Sequence, residues 1–219
     1  MIVCLRNLDN GIFWWKTKKL WGPDLGNSEY EDIYRVREHG LTTDWWRETV
    51  PRLARWRAFR GPTGINSAEK VRAAGSDVLH ELDAAFAHVC SRAGEPALCE
   101  VRWEDIAPLY EIAFQIRWPR RRLASPVFPS KMCHFILPRV FPVVDNEATG
   151  FFDYEFYWRG MQDEWRRFTE SEKAKDRISK EIGPAIHPLY PLECRIIELS
   201  HIGYAHPEIA DLREGNSQD

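Results

Sequence analysis

The sequence lacks several features that would point directly to a class of protein. Its five cysteines are scattered and odd in number, and no two of them have the CxxC spacing. This pattern favours reduced thiols over a disulfide framework or a cysteine zinc site. No apolar run approaches the length of a membrane span, and the first residues, MIVCLRNLDNG, are too polar for a signal peptide. We therefore expect a cytoplasmic protein that does not bind a membrane.

A positive net charge is also missing. The formal net charge is −3, so the overall composition does not indicate a nucleic-acid partner. The charge is unevenly distributed, however, because residues 112–144 contain no Asp or Glu at all. The basic residues of that stretch are Arg117, Arg120, Arg121, Arg122, Lys131 and Arg139. The seven histidines show no metal-ligand spacing on one helix face, and we predict no metal and no cofactor.

The composition that remains is that of a folded domain. The chain has 219 residues, 44% of them hydrophobic and 29% charged, which is enough to bury a sizeable core. Aromatic residues make up 13%, with ten tryptophans, which suit thick cores or surfaces that stack on rings and bases. We predict one domain over residues 1–210, with an irregular aromatic N-terminal segment, and a polar tail at 211–219.

Apolar residues recur at three- and four-residue intervals in several stretches, as on one face of a helix. The predicted helices cover residues 29–38, a segment capped by Thr43 or Asp44 with Pro51 in its first turn, a segment from Asn66 or Ser67 to Val89, residues 103–118, residues 158–168 and residues 192–204. No strand pattern appears apart from FPVV, and no repeat is visible. The predicted fold is mainly α, in one or two lobes.

One stretch, SPVFPSKMCHFILPRVFPVVDN (residues 125–146), has a lysine at the head of an apolar run and an aspartate at its far end. Ser130 is predicted to cap a helix whose first residue is Lys131. Pro138 and Pro142 then prevent a long helix, so the chain approaches Asp145 in an extended form. Asp145 can itself cap the segment after it.

This order of a helix, a tight connection, a second helix and a short loop ending in Asp resembles the helix–hairpin–helix DNA glycosylase superfamily, especially its 8-oxoguanine glycosylase/lyase branch. In that superfamily a lysine opens the second helix of the hairpin, and an aspartate follows a Pro-Val-Asp element. Here SK followed by FPVVD is similar to that pair, with Lys131 and Asp145 at those positions. The resemblance covers about residues 117–158, and the hairpin ASPVFPS lacks the glycines usual in the family.

The resemblance implies a helix–hairpin–helix helical bundle and a DNA glycosylase that excises a damaged or modified base. It further implies Schiff-base (AP lyase) chemistry on double-stranded DNA, in DNA repair or in antiphage defence. We expect no cofactor and favour a monomer. Lys131 would be the catalytic nucleophile and Asp145 the electrostatic stabiliser. The expected DNA-binding residues are Arg117, Arg120, Arg121, Arg122 and Ser130. The expected base-pocket residues are His134, Phe151, Tyr154 and Trp158.

The residue types suit this chemistry. Breaking an N-glycosidic bond passes through a positively charged sugar, which a nearby carboxylate stabilises. A neutral lysine amine can attack C1′ and form a Schiff base. A lysine at the start of a helix would face the positive end of the helix dipole, which disfavours its ammonium form.

Two alternatives stay open. In a monofunctional glycosylase, Asp145 would activate water and Lys131 would only contact DNA. In a non-catalytic helical protein that binds DNA or another protein, Lys131 would be a surface charge and Asp145 a helix cap. The sequence does not identify the base that is recognised.

Overall fold

The computed structural model describes residues 1–18, 26–59, 67–91, 94–116, 125–144 and 153–210. Within these ranges the chain forms ten α-helices, one short 3-10 turn (Leu98–Glu100) and no strand, which confirms a mainly α protein. The helices are α1 (Leu5–Lys18), α2 (Asn27–Arg37), α3 (Thr43–Arg55), α4 (Ala68–Asp77), α5 (Leu79–Cys90), α6 (Trp103–Ile116), α7 (Val127–Ile136), α8 (Tyr154–Arg167), α9 (Ser171–Ile182) and α10 (Leu192–Ala205). None of these helices is long and apolar enough to cross a bilayer.

One continuous apolar core takes side chains from all ten helices. The predicted helices α2, α6, α8 and α10 are present close to their expected positions. Two further helices were not predicted. α1 lies in the segment expected to be irregular, and α9 follows α8 after a short turn.

α1 packs directly along α10, and glycine makes the close approach possible. A Cβ atom on Gly11 would lie 1.9 Å from the carbonyl oxygen of Leu199, and one on Gly203 would lie 1.9 Å from that of Asn7. Only a residue without a side chain fits at either position. The two helix backbones are therefore in contact where they cross.

The α3–α5 region differs from its prediction in three details. Thr42, not Thr43 or Asp44, caps α3, since its side chain accepts from the backbone N–H of Trp45 at 3.2 Å. Pro51 lies inside α3 and not in its first turn. Ser67 caps the next helix as expected, but the helical conformation is interrupted at Val78, so α4 and α5 are separate helices.

α7 lies at the centre of the fold, and all ten of its residues are buried. The prediction that Ser130 caps this helix is wrong, because the helix begins at Val127 with Pro126 at the capping position. Pro129 is then the third residue, where a backbone N–H has no partner within a helix and its loss costs little. Lys131 is consequently the fifth residue of α7, more than one turn from its start.

Candidate functional site

Lys131 is a buried lysine within this central helix. The residue is only 4% exposed, which excludes the interpretation that it is a solvated surface charge. Its Nζ atom donates a hydrogen bond to the backbone carbonyl of Trp56 at 2.8 Å. Burial of a lysine is costly and uncommon, so its position needs a specific partner or a function.

The partner carbonyl belongs to the carboxyl end of α3. Trp56 directly follows that helix, and its indole packs on His134 and Phe135 of α7, with ring centroids 5.6 and 4.7 Å apart. The carboxyl end of a helix carries a partial negative charge, which attracts an ammonium group. This corrects the expectation that Lys131 faces the positive end of a helix dipole. The helix end that the amine contacts is instead the carboxyl end of α3, which carries the partial negative charge.

The chain between α7 and Asp145 is held in place by side chains. Each of the five residues 140–144, here called the tethered segment, has a backbone group hydrogen-bonded to a side chain from another part of the fold. The bonds are Trp158 Nε1 to Val140 O (2.8 Å), His134 Nδ1 to Phe141 O (2.7 Å), the Tyr154 hydroxyl to Pro142 O (2.7 Å), Val143 N to Glu198 Oε1 (2.6 Å) and Val144 N to Ser130 Oγ (3.3 Å). Pro138 precedes this run and Pro142 lies within it, and neither has a backbone N–H to donate. Regular secondary structure therefore does not form here, and side chains satisfy the polar groups of the backbone.

Three of the residues expected to form a base pocket belong to this set. His134, Tyr154 and Trp158 are buried, and the side chain of each donates a hydrogen bond to a backbone carbonyl of the tethered segment. Tyr154 also stacks on Tyr110, with ring centroids 4.6 Å apart. We therefore interpret the three as residues that position the segment, in place of the walls of a pocket. Ser130, expected to contact DNA, is fully buried and accepts from Val144.

The hydrogen bonds of His134 determine its protonation. A carbonyl can only accept, so Nδ1 carries the hydrogen that is donated to Phe141. Nε2 then accepts from the Tyr30 hydroxyl at 2.7 Å. Burial lowers the pKa of His134 below its ordinary value, although the nearby Glu198 carboxylate opposes this shift. A neutral imidazole therefore links α2, α7 and the tethered segment.

A buried ion pair on α10 supports the same segment. Glu198 accepts from Val143 with one oxygen and pairs with Arg195 through the other. The Arg195 guanidinium lies over the ring of Trp15, 4.5 Å from its centroid. Burial alone would lower the pKa of Arg195, but Glu198 and two neighbouring tyrosines raise it, so the guanidinium stays charged. Such a pair is costly to break, because either partner alone would be a buried, uncompensated charge.

Sequence reasoning did not identify Trp56, Tyr30, Arg195 or Glu198 as parts of this region. Arg195 and Glu198 are three positions apart on a helix, which in a sequence is typical of a solvated surface pair. Trp56 and Tyr30 carry no local signal, since their partners on α7 are 75 and 104 positions away.

Several expected site residues lie outside the described residues. They are Asp145, Arg117, Arg120, Arg121, Arg122 and Phe151. The described part of the site ends at Val144, immediately before Asp145. The backbone N–H of Val144 donates to Ser130 Oγ, so this bond joins the residue before Asp145 to the residue before Lys131.

The arrangement holds the Lys131 amine on a carbonyl at the end of α3, and the residue before Lys131 binds the tethered segment. Burial raises the pKa of the nearby Cys133 thiol well above its ordinary value, so this cysteine is not a thiolate nucleophile near neutral pH. No protein-family model, no curated protein and no solved structure matches this chain.

Proposed function

We propose that this protein is a DNA glycosylase that removes a damaged or modified base, with Lys131 as the nucleophile and Asp145 as the stabilising carboxylate. The observation that carries the proposal is the hydrogen bond from Val144 N to Ser130 Oγ. Consecutive Cα atoms are about 3.8 Å apart, so the chain enters Asp145 from a point fixed against the residue next to Lys131. A sequence motif that pairs a lysine with an aspartate thus has support from the geometry of the residues between them.

The proposed reaction uses the two groups in succession. The neutral Lys131 amine attacks C1′ of the target nucleotide, and the bond between C1′ and the base nitrogen breaks. Its electron pair leaves with the base, which takes up a proton. The Asp145 carboxylate stabilises the positive charge that develops on the sugar. The nitrogen, now bonded to C1′, loses a proton, and its lone pair forms a C=N bond as the C1′–O4′ bond breaks and O4′ takes up a proton. Removal of a C2′ proton from this protonated imine then supplies the electron pair that expels the 3′ phosphate.

The rigidity of the tethered segment supports this role for Asp145. A carboxylate that stabilises a transition state must be fixed before the reaction, because reorganisation during the reaction would cost much of the benefit. Five side-chain hydrogen bonds hold five consecutive residues of this segment. They satisfy its buried backbone groups and at the same time hold the chain in place up to Val144, the residue before Asp145.

Borohydride trapping tests the proposal. Reduction of the imine would leave a permanent protein–DNA adduct, and its yield should rise with pH because only a neutral amine attacks. A duplex with an abasic site is the first substrate, followed by duplexes with oxidised purines and with glucosylated cytosine. The last two distinguish a repair role from an antiphage role. Lys131→Gln should lose the adduct but still bind DNA.

Lys173→Gln is the matched control, because Lys173 is an exposed lysine on α9 and its loss should leave trapping unchanged. Asp145→Asn should bind DNA and lose base release, since asparagine keeps the size of the side chain but not its charge. Base release by Lys131→Gln without an adduct would show that the enzyme is monofunctional. A wild-type protein that neither traps nor releases any of these bases would refute the glycosylase and favour a binding protein.

A further inference from the structure

Arg57 has an unusual backbone conformation beside the candidate site. Its φ angle is 51°, and among the described residues it is the one non-glycine residue with a positive φ. It follows the end of α3, where the N–H of Ala58 bonds to Leu53 O and the N–H of Arg57 bonds to Ala54 O. This is the hydrogen-bond pattern that ends many helices, and glycine normally occupies the position of Arg57 because a side chain there is strained.

The Arg57 side chain makes no contribution to the fold that would offset the strain of having a side chain at this position. Arg57 is exposed, and its guanidinium has no hydrogen bond or ion pair in the described structure. The two other arginines at this end of α3 behave differently, since Arg52 and Arg55 both bind the Glu29 carboxylate, at 3.1 and 2.8 Å. An arginine that is strained, exposed and unpaired does not stabilise the folded state. Strain of this kind concentrates at functional sites.

The position of Arg57 relative to Lys131 is fixed. Lys131 Nζ bonds to the carbonyl oxygen of Trp56, and the carbon of that carbonyl is bonded to the backbone nitrogen of Arg57. One C=O bond and one C–N bond thus separate the acceptor atom from Arg57, which brings its backbone within about 5 Å of the amine. The contacts of the Trp56 ring with His134 and Phe135 hold this corner of α3 against α7.

We propose that Arg57 binds a phosphate of the DNA backbone next to the nucleotide that Lys131 attacks. This inference rests on the proposed function. In DNA the sugar of that nucleotide carries a phosphate on each side, so a cation anchored close to the amine lies in reach of one of them. Guanidinium is suited to this contact, because its planar fork can donate two hydrogen bonds to the oxygens of one phosphate. The Glu29 carboxylate does not compete for Arg57, since its ion pairs are with Arg52 and Arg55.

The test measures stability and DNA binding on the same variants. Arg57→Gly removes the strain and the charge together, so the melting temperature should rise by about 1–4 °C while DNA binding weakens. Affinity for an abasic-site duplex should fall about tenfold at low salt. The slope of log K against log salt should shrink by about 0.9, the value for one phosphate contact. Arg57→Lys should keep most of the slope.

Arg47→Gln is the control for the loss of one charge. Arg47 is exposed on the same helix and paired with Asp44, nine residues before Trp56 and so about 14 Å away along α3. It should leave the salt slope unchanged. If Arg57→Gly has the wild-type slope, Arg57 does not bind phosphate, although the glycosylase proposal survives. If Arg57→Gly melts at a lower temperature, the side chain serves the fold and the inference is wrong. If the wild type does not bind DNA, both proposals are wrong.

Discussion

Replacing Tyr154 by phenylalanine tests the role of the tethered segment with the removal of one oxygen atom. Tyr154 is buried, and its hydroxyl donates to Pro142 O at 2.7 Å. Phenylalanine keeps the ring and its stacking on Tyr110. The substitution therefore removes one hydrogen bond and leaves a buried carbonyl without that donor, and it creates only a small cavity.

The expected loss of stability is about 2 kcal/mol, the middle of the range for a buried partner left unsatisfied. For a chain of this size that loss corresponds to a fall in Tm of about 6 °C. Base release should fall by a larger factor than the affinity for an abasic-site duplex. Pro142 precedes Asp145 by three residues, and a looser segment would hold the carboxylate less well during the reaction.

Tyr110→Phe is the matched control. Tyr110 is half-buried, and its hydroxyl makes no hydrogen bond to the rest of the described structure, so the same change there should alter stability by less than about 0.5 kcal/mol. Equal melting temperatures for the two variants would contradict the hydrogen bond to Pro142. A clear loss of stability in Tyr154→Phe with normal base release would show that the tethered segment does not position the reacting groups.

Two further predictions concern stability. Gly203→Ala should destabilise the protein by more than about 2 kcal/mol in thermal denaturation, because its Cβ would lie 1.9 Å from Asn7 O. Gly160→Ala, in open space on α8, should instead stabilise it by about 0.5–1 kcal/mol. Equal effects of the two substitutions would contradict the close crossing of α1 and α10. Burial lowers the pKa of His201 from 6.5 to about 4, so the unfolded state binds more protons in this range and stability should fall as the pH drops below 6.5, by about 2 kcal/mol at pH 5. Urea denaturation at pH 7 and pH 5 measures this loss, and His201→Phe should be less sensitive to acid than the wild type.

The helices that were predicted have regular apolar spacing, and those that were missed do not show it plainly. α1 contains Gly11 and several aromatic residues in its second half, which favoured an irregular segment. Gly11 is there because the backbone of α10 touches it, and a single sequence does not display such a requirement. The start of α7 was misplaced for a related reason. Its prolines indicated a loop, yet they occupy positions where a helix tolerates them.

For the site, the pairing of Lys131 with Asp145 came from local spacing, and it stays a prediction. The described structure records a bond between Ser130 and Val144, the residues that precede them. The surroundings of the amine could not be predicted, because they depend on Trp56, which lies 75 positions earlier. The same is true of Glu198, which lies 55 positions after the backbone group that it binds.

The contact of α1 with α10 determines when this protein can fold during its synthesis. A ribosome releases α1 long before α10 exists, so the apolar face of the first helix must wait for most of the chain to be translated. The tethered segment also cannot complete its hydrogen bonds before α10 is made, because the backbone N–H of Val143 donates to Glu198 on that helix. Nascent chains that end before α10 should therefore expose apolar surface and bind chaperones. Contacts between such distant parts of a chain also slow folding.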